Sequence, residues 1–568
     1  MRRRKVIVFG FDGATLSLIR PWVAEGKLPT FAKLMREGVY GELKSTPDIM
    51  SPSAWTSFAT GKNPAGHGIY NFMDVVPGTV KMHFLNSTHR DGDTVWGLLG
   101  KAGKNVVVSS VPMTYPADKV NGCMISGWNA PNIHSQGFTF PEGLIKEILR
   151  EQGDFILFPT VKSNIARGRP DIAIKEIHRE LDNKAAVTKT LMKKYPSWDF
   201  LVSVFLATDQ VQHYFWHFMD KKHPGYAGAA REYEDAILGI YRKCDEVVAE
   251  IARDLDEDTS IIIMSDHGNG INQRGVQFLA PWLNRIGLMS DFKSKPPSLV
   301  RSPLLWSKSL IKKILKRQYL WLNMHLSAKA KGMLNVFFAS LRDRIESSWR
   351  LSAVDWQKTM CFFHYMPRVN LKGREPFGTV SAGKEYEEVV NLVIEKLYEA
   401  RDAATGMAIV DKIFRRDEVF RGKHIDQAPD IIIWWKEDIV ISGIVSTDIN
   451  GKEVVVTEKD YVDIRTGNHT PYGVFFASGS TFKKGVEAKG MEIIDLAPTI
   501  LYLLGEPVPM EMDGKVLRQV FTDEFLKANA IRYTTEGSES KPPKAGQSYN
   551  DSDDVVVEEN LRSLGYIE

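Results

Sequence analysis

Through the first half of the chain, short apolar, β-branched runs alternate with stretches whose apolar residues recur every three to four positions. The runs predict strands over 5–11, 105–111, 199–206 and 260–265. Between the last two, Tyr233, Ile237, Ile240, Tyr241, Cys244, Val247, Val248 and Ile251 share one helical face, which reads as core packing. Strands alternating with helices predict an α/β core whose parallel sheet is covered by helices on both faces. In such sheets chemistry collects at the carboxyl ends of the strands. Asp12, Asp209 and Asp266 fall at or just after three of these expected ends.

The alternation breaks near Pro296-Pro297. From 292 to 341 there are ten Lys or Arg and no Asp or Glu, the sharpest composition shift in the chain. There Ile311, Ile314, Leu315 and Leu322 take one helical face, with Lys312, Lys313, Lys316 and Arg317 on the other. Sheet-like segments return at 428–435 and 473–477, and a helix is expected after Asp495, with Pro498 in its first turn and Gly505 as its stop. Residues 534–554 are rich in Ser, Glu, Lys, Pro, Gly and Asp and read as a flexible linker, with 555–568 a short segment that folds back. The expected organisation is a first part of the core over 1–285, a basic helical insertion or lid over 286–350, the remainder of the core over 351–532, and a linker with tail over 533–568.

Composition narrows the class. The 568 residues exceed a single module of about 150 residues several times over, and 43% apolar with 25% charged residues is ordinary for a folded chain. A net charge of +3 leaves no chain-wide footprint for nucleic acid, so no specific nucleic-acid binding is expected. Cys123, Cys244 and Cys361 are too few and too scattered for a disulfide framework or a clustered cysteine metal site. The basic start 1–5 precedes an apolar run that ends at Asp12 after about six residues, shorter than the ~7–15 of a signal peptide. No run reaches the ~18 apolar residues of a membrane span. The reading is a cytoplasmic protein.

Four separated segments carry the chemistry: Asp12 in FGFDG, Asp209 and His213 in TDQVQH, Asp266 and His267 in SDHGNG, and His469 in GNHTPYG. Carboxylate and imidazole ligands without cysteine suit zinc, manganese or iron in an open catalytic site. Three Asp and three His exceed what one tetrahedral ion with an open position uses, and suffice for two ions sharing a substrate oxygen. Ser51, in SPSAWTSFATGKNPAGHGI, is the candidate nucleophile, because a cation beside it would stabilise its alkoxide. It also reads as a helix N-cap. Ser53 is the competing nucleophile.

At these residues the chain resembles the alkaline phosphatase superfamily, and most closely its type I phosphodiesterase/nucleotide pyrophosphatase branch. The motifs VFGFDG, SPSAWTSFATGKNPAGHGI, VPMTYPADKVNG, TDQVQHYFW, SDHGNG, NLKGREP, GNHTPYGVFFASG and DLAPTILYLLGEPVPMEMDG carry the likeness in order and spacing. The resemblance implies an alkaline phosphatase-like core, a doubly wound, mostly parallel α/β sandwich, with two divalent metal ions, commonly zinc. One would be held by Asp209, His213 and His469, the other by Asp12, Asp266, His267 and the Ser51 oxygen. Ser51 falls on the family's Thr/Ser nucleophile. Asn71 resembles an asparagine that donates to a phosphate oxygen, although its register is one residue off. Many diesterases of the branch use threonine at the nucleophile. The sulfatase pattern needs an Arg that Ser51-Pro52-Ser53-Ala54-Trp55 lacks.

The implied function is metal-dependent hydrolysis of phosphodiester or pyrophosphate bonds through a covalent serine intermediate. The substrate would be a small phosphate ester or nucleotide-type molecule. The alternatives are a phosphomonoesterase, a phosphotransferase or mutase of the same superfamily, and a regulatory protein that keeps the metal site without catalysis. Other polar residues take structural readings: His217 as packing or an indirect hydrogen bond, His67 as a loop-fixing donor, and Gly61-Lys62 as no phosphate loop, since the glycine spacing and following Ser or Thr are missing. The basic stretch 292–341 is either a solvated lid or a surface for polyanionic substrate or an anionic membrane, the latter giving peripheral contact.

Overall fold

The first apolar run forms the strand Lys5–Phe11, buried at every residue after Lys5. It lies at the centre of a ten-stranded sheet, in parallel with Thr259–Met264 on one side and Phe200–Phe205 on the other. The four strands expected in the first half of the chain appear within a residue of their expected ends, as Lys5–Phe11, Val106–Val111, Phe200–Phe205 and Thr259–Met264. The computed structural model describes residues 4–291, 354–457, 464–535, 549 and 551–566. The basic stretch 292–341 and most of the linker therefore lie outside the described residues.

Beyond Phe200–Phe205 the sheet continues through Val106–Val111 and Gly122–Ser126 to Thr139–Phe140. On the other side, Tyr472–Ser478 inserts between Thr259–Met264 and Val39–Lys44, antiparallel to both. The short strands Val486–Glu487 and Met491–Glu492 then pair in parallel with Val39–Lys44. Only Tyr472–Ser478 and Thr139–Phe140 oppose the common direction, so the sheet is mostly parallel.

Alternation along the strands sorts the core into two layers. Ile7, Phe9, Leu201, Phe205 and Ile263 face one side, where Leu16–Ala24, Pro29–Glu37, Pro170–Lys194, Ala207–Met219 and Ala236–Ala252 cover them. Val6, Val8, Val202, Ile262 and Met264 face the other, against Ser51–Thr60, Val95–Lys101 and Leu496–Leu503. Burial on both faces explains why the strands read as continuous apolar runs. The helix expected after Asp495 is Leu496–Leu503, and Gly505 takes a positive φ of 81° just beyond it.

A separate apolar cluster gathers Leu279–Arg285, Lys384–Glu399 and the ribbons among residues 401–457. The segment 428–435 gives the strand Ile431–Trp435, which pairs antiparallel with Val410–Arg415 outside the ten-stranded sheet. The segment 473–477 joins the main sheet as Tyr472–Ser478. The terminal segment folds back as the helix Asp551–Leu564, with Val557, Leu561 and Leu564 buried. Among the described residues, no helix is long and apolar enough to cross a membrane.

Candidate metal centre and nucleophile

The central strands end where the polar residues begin. Asp12 follows Lys5–Phe11, and Asp266 and His267 follow Thr259–Met264. Asp209 and His213 occupy one face of Ala207–Met219, the helix leaving Phe200–Phe205. His469 arrives on Gly467–Thr470, an antiparallel ribbon with Gly268–Ile271 that sets Asn269 opposite His469. Gly13 turns the chain after Asp12 at φ 65°, and a Cβ there would stand 2.5 Å from Asn269 Nδ2. Glycine meets both demands.

Six Asp and His side chains from these separated segments converge. His213 Nε2 lies 3.0 Å from Asp209 Oδ1 and 3.1 Å from His469 Nε2, and His469 Nε2 lies 3.5 Å from the same carboxylate oxygen. His267 Nε2 is 3.3 Å from Asp266 Oδ2 and 3.6 Å from Asp12 Oδ1. The His267 and His469 rings stack at 3.6 Å, joining the two halves. Two triads have ligand atoms all within 4.8 Å of one another: Asp12, Asp266 and His267, and Asp209, His267 and His469. His267 thus stands at the junction of the pair of sites that the sequence suggests.

The second nitrogen of each imidazole fixes what the first offers. His213 Nδ1 bonds to Gly467 O at 2.8 Å, His267 Nδ1 to Gly268 O at 3.0 Å, and His469 Nδ1 to Ile49 O at 3.1 Å. A carbonyl only accepts, so each Nδ1 carries a proton and each ring turns its Nε2, the atom a cation would take, towards the cluster. Two ring nitrogens 3.1 Å apart need a proton or a cation between them.

Charge makes the same demand. Asp12, Asp209, Asp266 and His267 have no exposed surface, and Asp12 Oδ1 and Asp266 Oδ2 have no hydrogen-bond partner among the described residues. Burial, then the neighbouring Asp266 and Asp209 charges, raises the Asp12 carboxyl well above its usual range. Burial also raises Asp266 to about 7, although His469 draws it down. Burial pushes Asp209 upward too, but His213 and His469 together hold it well below the ordinary value. Burial, reinforced by His469, keeps His267 neutral. Buried carboxylates with orphaned oxygens beside imidazole nitrogens form a donor set that fits divalent cations.

Ser51 is the first residue of the helix Ser51–Thr60, with Met50 in the cap position, which corrects the N-cap reading of the serine. Its hydroxyl faces the cluster instead, with Oγ 3.0 Å from His267 Nε2. Ser53 has Asp48 as its polar neighbour. Asn71 makes a local bond, its Oδ1 accepting from Phe72 N–H at 2.7 Å. His67 fixes its loop by bonding Ser57 Oγ at 2.9 Å and accepting from Ile69 N–H. His217 bonds Thr466 Oγ1, and Lys62 pairs with Glu511 at 3.0 Å.

Supporting residues appear that motif reading did not single out. Trp55 Nε1 donates to Asp12 Oδ2 at 2.9 Å. Asn269 and Gln210 donate to the two oxygens of Asp209, each at 3.2 Å. Tyr566, beyond the terminal helix, brings its hydroxyl 3.5 Å from Asp209 Oδ2 and interacts with the Ser51 hydroxyl. Trp55 lies one helical turn from Ser51 in the quoted motif, so spacing could have flagged it. Nothing in the sequence alone connects Tyr566 to residues more than three hundred positions earlier.

The chain is a phosphoric ester hydrolase, the class that its family model defines. The chain belongs to the type I phosphodiesterase/nucleotide pyrophosphatase family, whose model matches residues 6–459. Its chemistry is accordingly of the phosphodiesterase and pyrophosphatase type. None of the curated proteins matches the sequence. Among solved structures, an inactive variant of murine ectonucleotide pyrophosphatase/phosphodiesterase 5 in complex with AMP is 12% identical, with a TM-score of 0.47, covering 91% of this chain and 100% of its own. Phosphonoacetate hydrolase from Sinorhizobium meliloti 1021 in complex with phosphonoformate is 13% identical, with a TM-score of 0.48, covering 88% and 95%. A mutant of the alkaline phosphatase PafA is 13% identical, with a TM-score of 0.48, covering 92% and 100%.

Proposed function

We propose that this chain hydrolyses phosphodiester or pyrophosphate bonds of small, nucleotide-type substrates through a covalent intermediate on Ser51. The observation that carries the reading is the convergence of a serine hydroxyl, three imidazoles with their Nε2 atoms turned inward and three buried carboxylates at the ends of the central strands. Asp209, His213 and His469 would hold one divalent cation, and Asp12, Asp266, His267 and the Ser51 oxygen the other, zinc or manganese being suited to these ligands. Such a pair supplies positive charge that stabilises the serine oxyanion and the departing oxygen.

The residues then have distinct tasks. Ser51, fixed at a helix start, loses its proton to solvent and attacks phosphorus, forming the Oγ–P bond as the bond to the leaving oxygen breaks. Water next adds to the seryl phosphoester, breaking the Oγ–P bond and releasing a phosphate monoester with Ser51 restored. Gly467, Gly268 and Ile49 hold the three imidazoles in the tautomer this scheme needs. Trp55 fixes the Asp12 carboxylate through one oxygen and leaves the other directed into the cluster.

Ser51→Ala tests the scheme. It should abolish turnover of bis-p-nitrophenyl phosphate while metal content measured by atomic emission stays near wild type, because the other six ligands remain. Activity lost in Ser53→Ala but retained in Ser51→Ala would overturn the nucleophile assignment.

A further inference from the structure

The terminal helix Asp551–Leu564 is anchored to the core, not laid loosely on it. Val557, Leu561 and Leu564 are about 1% exposed. Asn560 Nδ2 donates to Ala130 O and Pro131 O, and Gln210 Nε2 donates to Leu564 O. The helix ends at Gly565, where φ is 90°. Tyr566 N–H returns to Leu561 O and Gly565 N–H bonds Leu561 O and Arg562 O, a Schellman closure that reverses the chain. Gly565 also meets a close approach, since a Cβ there would stand 2.6 Å from the Tyr214 hydroxyl.

This closure aims Tyr566 inward. Its ring packs against Phe72 with centroids 4.9 Å apart, and Arg465 Nη1 donates to Gly565 O at 3.3 Å beside it. The phenol oxygen reaches Asp209 Oδ2 at 3.5 Å and interacts with the Ser51 hydroxyl. It therefore stands between the proposed nucleophile and a carboxylate of the other half-site. A phosphoryl group attacked by Ser51 would place its non-bridging oxygens in the same space.

We infer that Tyr566 is a catalytic residue whose O–H donates to a non-bridging oxygen of the phosphoryl group during transfer, so the C-terminal segment completes the active site. The inference rests on the phosphoryl-transfer reading above. The phenol is well suited to the role because aromatic packing and a fixed turn hold it in place without substrate. A donor held in advance strengthens most where negative charge grows, and one such donor is worth about 100–1,000-fold in rate in comparable oxyanion sites. A longer contact such as this one tightens only when the reacting group arrives.

Tyr566→Phe keeps the ring and its packing on Phe72 and removes only the hydroxyl. In the full-length, metal-loaded protein, kcat for bis-p-nitrophenyl phosphate should fall by about 10-fold or more with KM changed less than threefold. Affinity for orthovanadate, measured by calorimetry, should weaken in parallel, while Tm and metal content stay at wild-type values. Unchanged kcat and unchanged vanadate affinity would overturn the inference. So would faster turnover with a lower KM, which would make the tail a plug over the site. If wild type turned over no ester, the function reading would fail separately. The Tyr566→Phe effect on vanadate binding would then still decide the role of the phenol: weaker binding would support it and equal binding would overturn it.

Discussion

Removing one buried acid should have opposite effects on stability with and without metal. Asp266 is fully buried with one oxygen unpartnered among the described residues, and its carboxyl is raised from 3.8 to about 7 in the metal-free fold, chiefly by burial. A folded-state pKa above the unfolded value means that the folded chain holds the proton more tightly. Folding is therefore favoured at low pH, and that advantage is lost as pH rises from about 3.8 to about 7. At 1.36 kcal/mol per pH unit the raised value corresponds to a few kcal/mol, so about 2–4 kcal/mol is at stake above pH 7. Asp266→Asn replaces the charge with a neutral group of the same shape, whose carbonyl can still accept from Gly13 N–H as Asp266 Oδ1 does at 3.2 Å. In dialysed, metal-free protein at pH 8 the variant should melt higher by about 2–4 °C, and its advantage should vanish near pH 4. With saturating zinc the order should reverse, because wild type gains binding energy that the variant lacks. Differential scanning fluorimetry from pH 4 to 8, with and without metal, measures both arms. A metal-free Asp266→Asn protein no more stable than wild type at pH 8, or one equally stabilised by zinc, would refute the reasoning.

Two further outcomes are expected. His469→Ala should lower bound metal from two equivalents towards one and cut activity by orders of magnitude, as read by atomic emission and initial rates. Two tightly bound ions and normal rates would reduce His469 to a loop histidine. Trp55→Phe removes the donor to Asp12 and should weaken metal binding at that half-site by about 10–100-fold in a competitive chelator titration, with the other half-site unchanged.

The sandwich was legible because its strands are buried on both faces, which produces uninterrupted runs such as 5–11 and 260–265. Periodicity cannot report strand direction, so it left open that Tyr472–Ser478 runs against its neighbours and that Ile431–Trp435 pairs outside the main sheet. At the site, Asp and His residues follow hydrophobic runs directly, and that adjacency made them visible before any fold was known. The orienting carbonyls of Gly467, Gly268 and Ile49 were hidden, because a backbone acceptor has no residue type to betray it. Ser51 as cap residue failed by a single position: the helix begins on it, which frees the hydroxyl to face His267. Tyr566 stayed invisible because only folding brings the terminal turn to Asp209.

The ribbon that carries His469 also imposes a timetable on biosynthesis. Its two strands, Gly268–Ile271 and Gly467–Thr470, are separated by about two hundred residues of chain. At roughly 5–20 residues per second, the ribosome needs on the order of 10–40 s to pass from one to the other. During that interval Asp12, Asp209, Asp266, His213 and His267 are already synthesised, while His469 and its partner carbonyl at Gly467 do not yet exist. The acidic pocket must wait for its last imidazole, so a cation at the proposed Asp209 half-site would be captured only towards the end of translation.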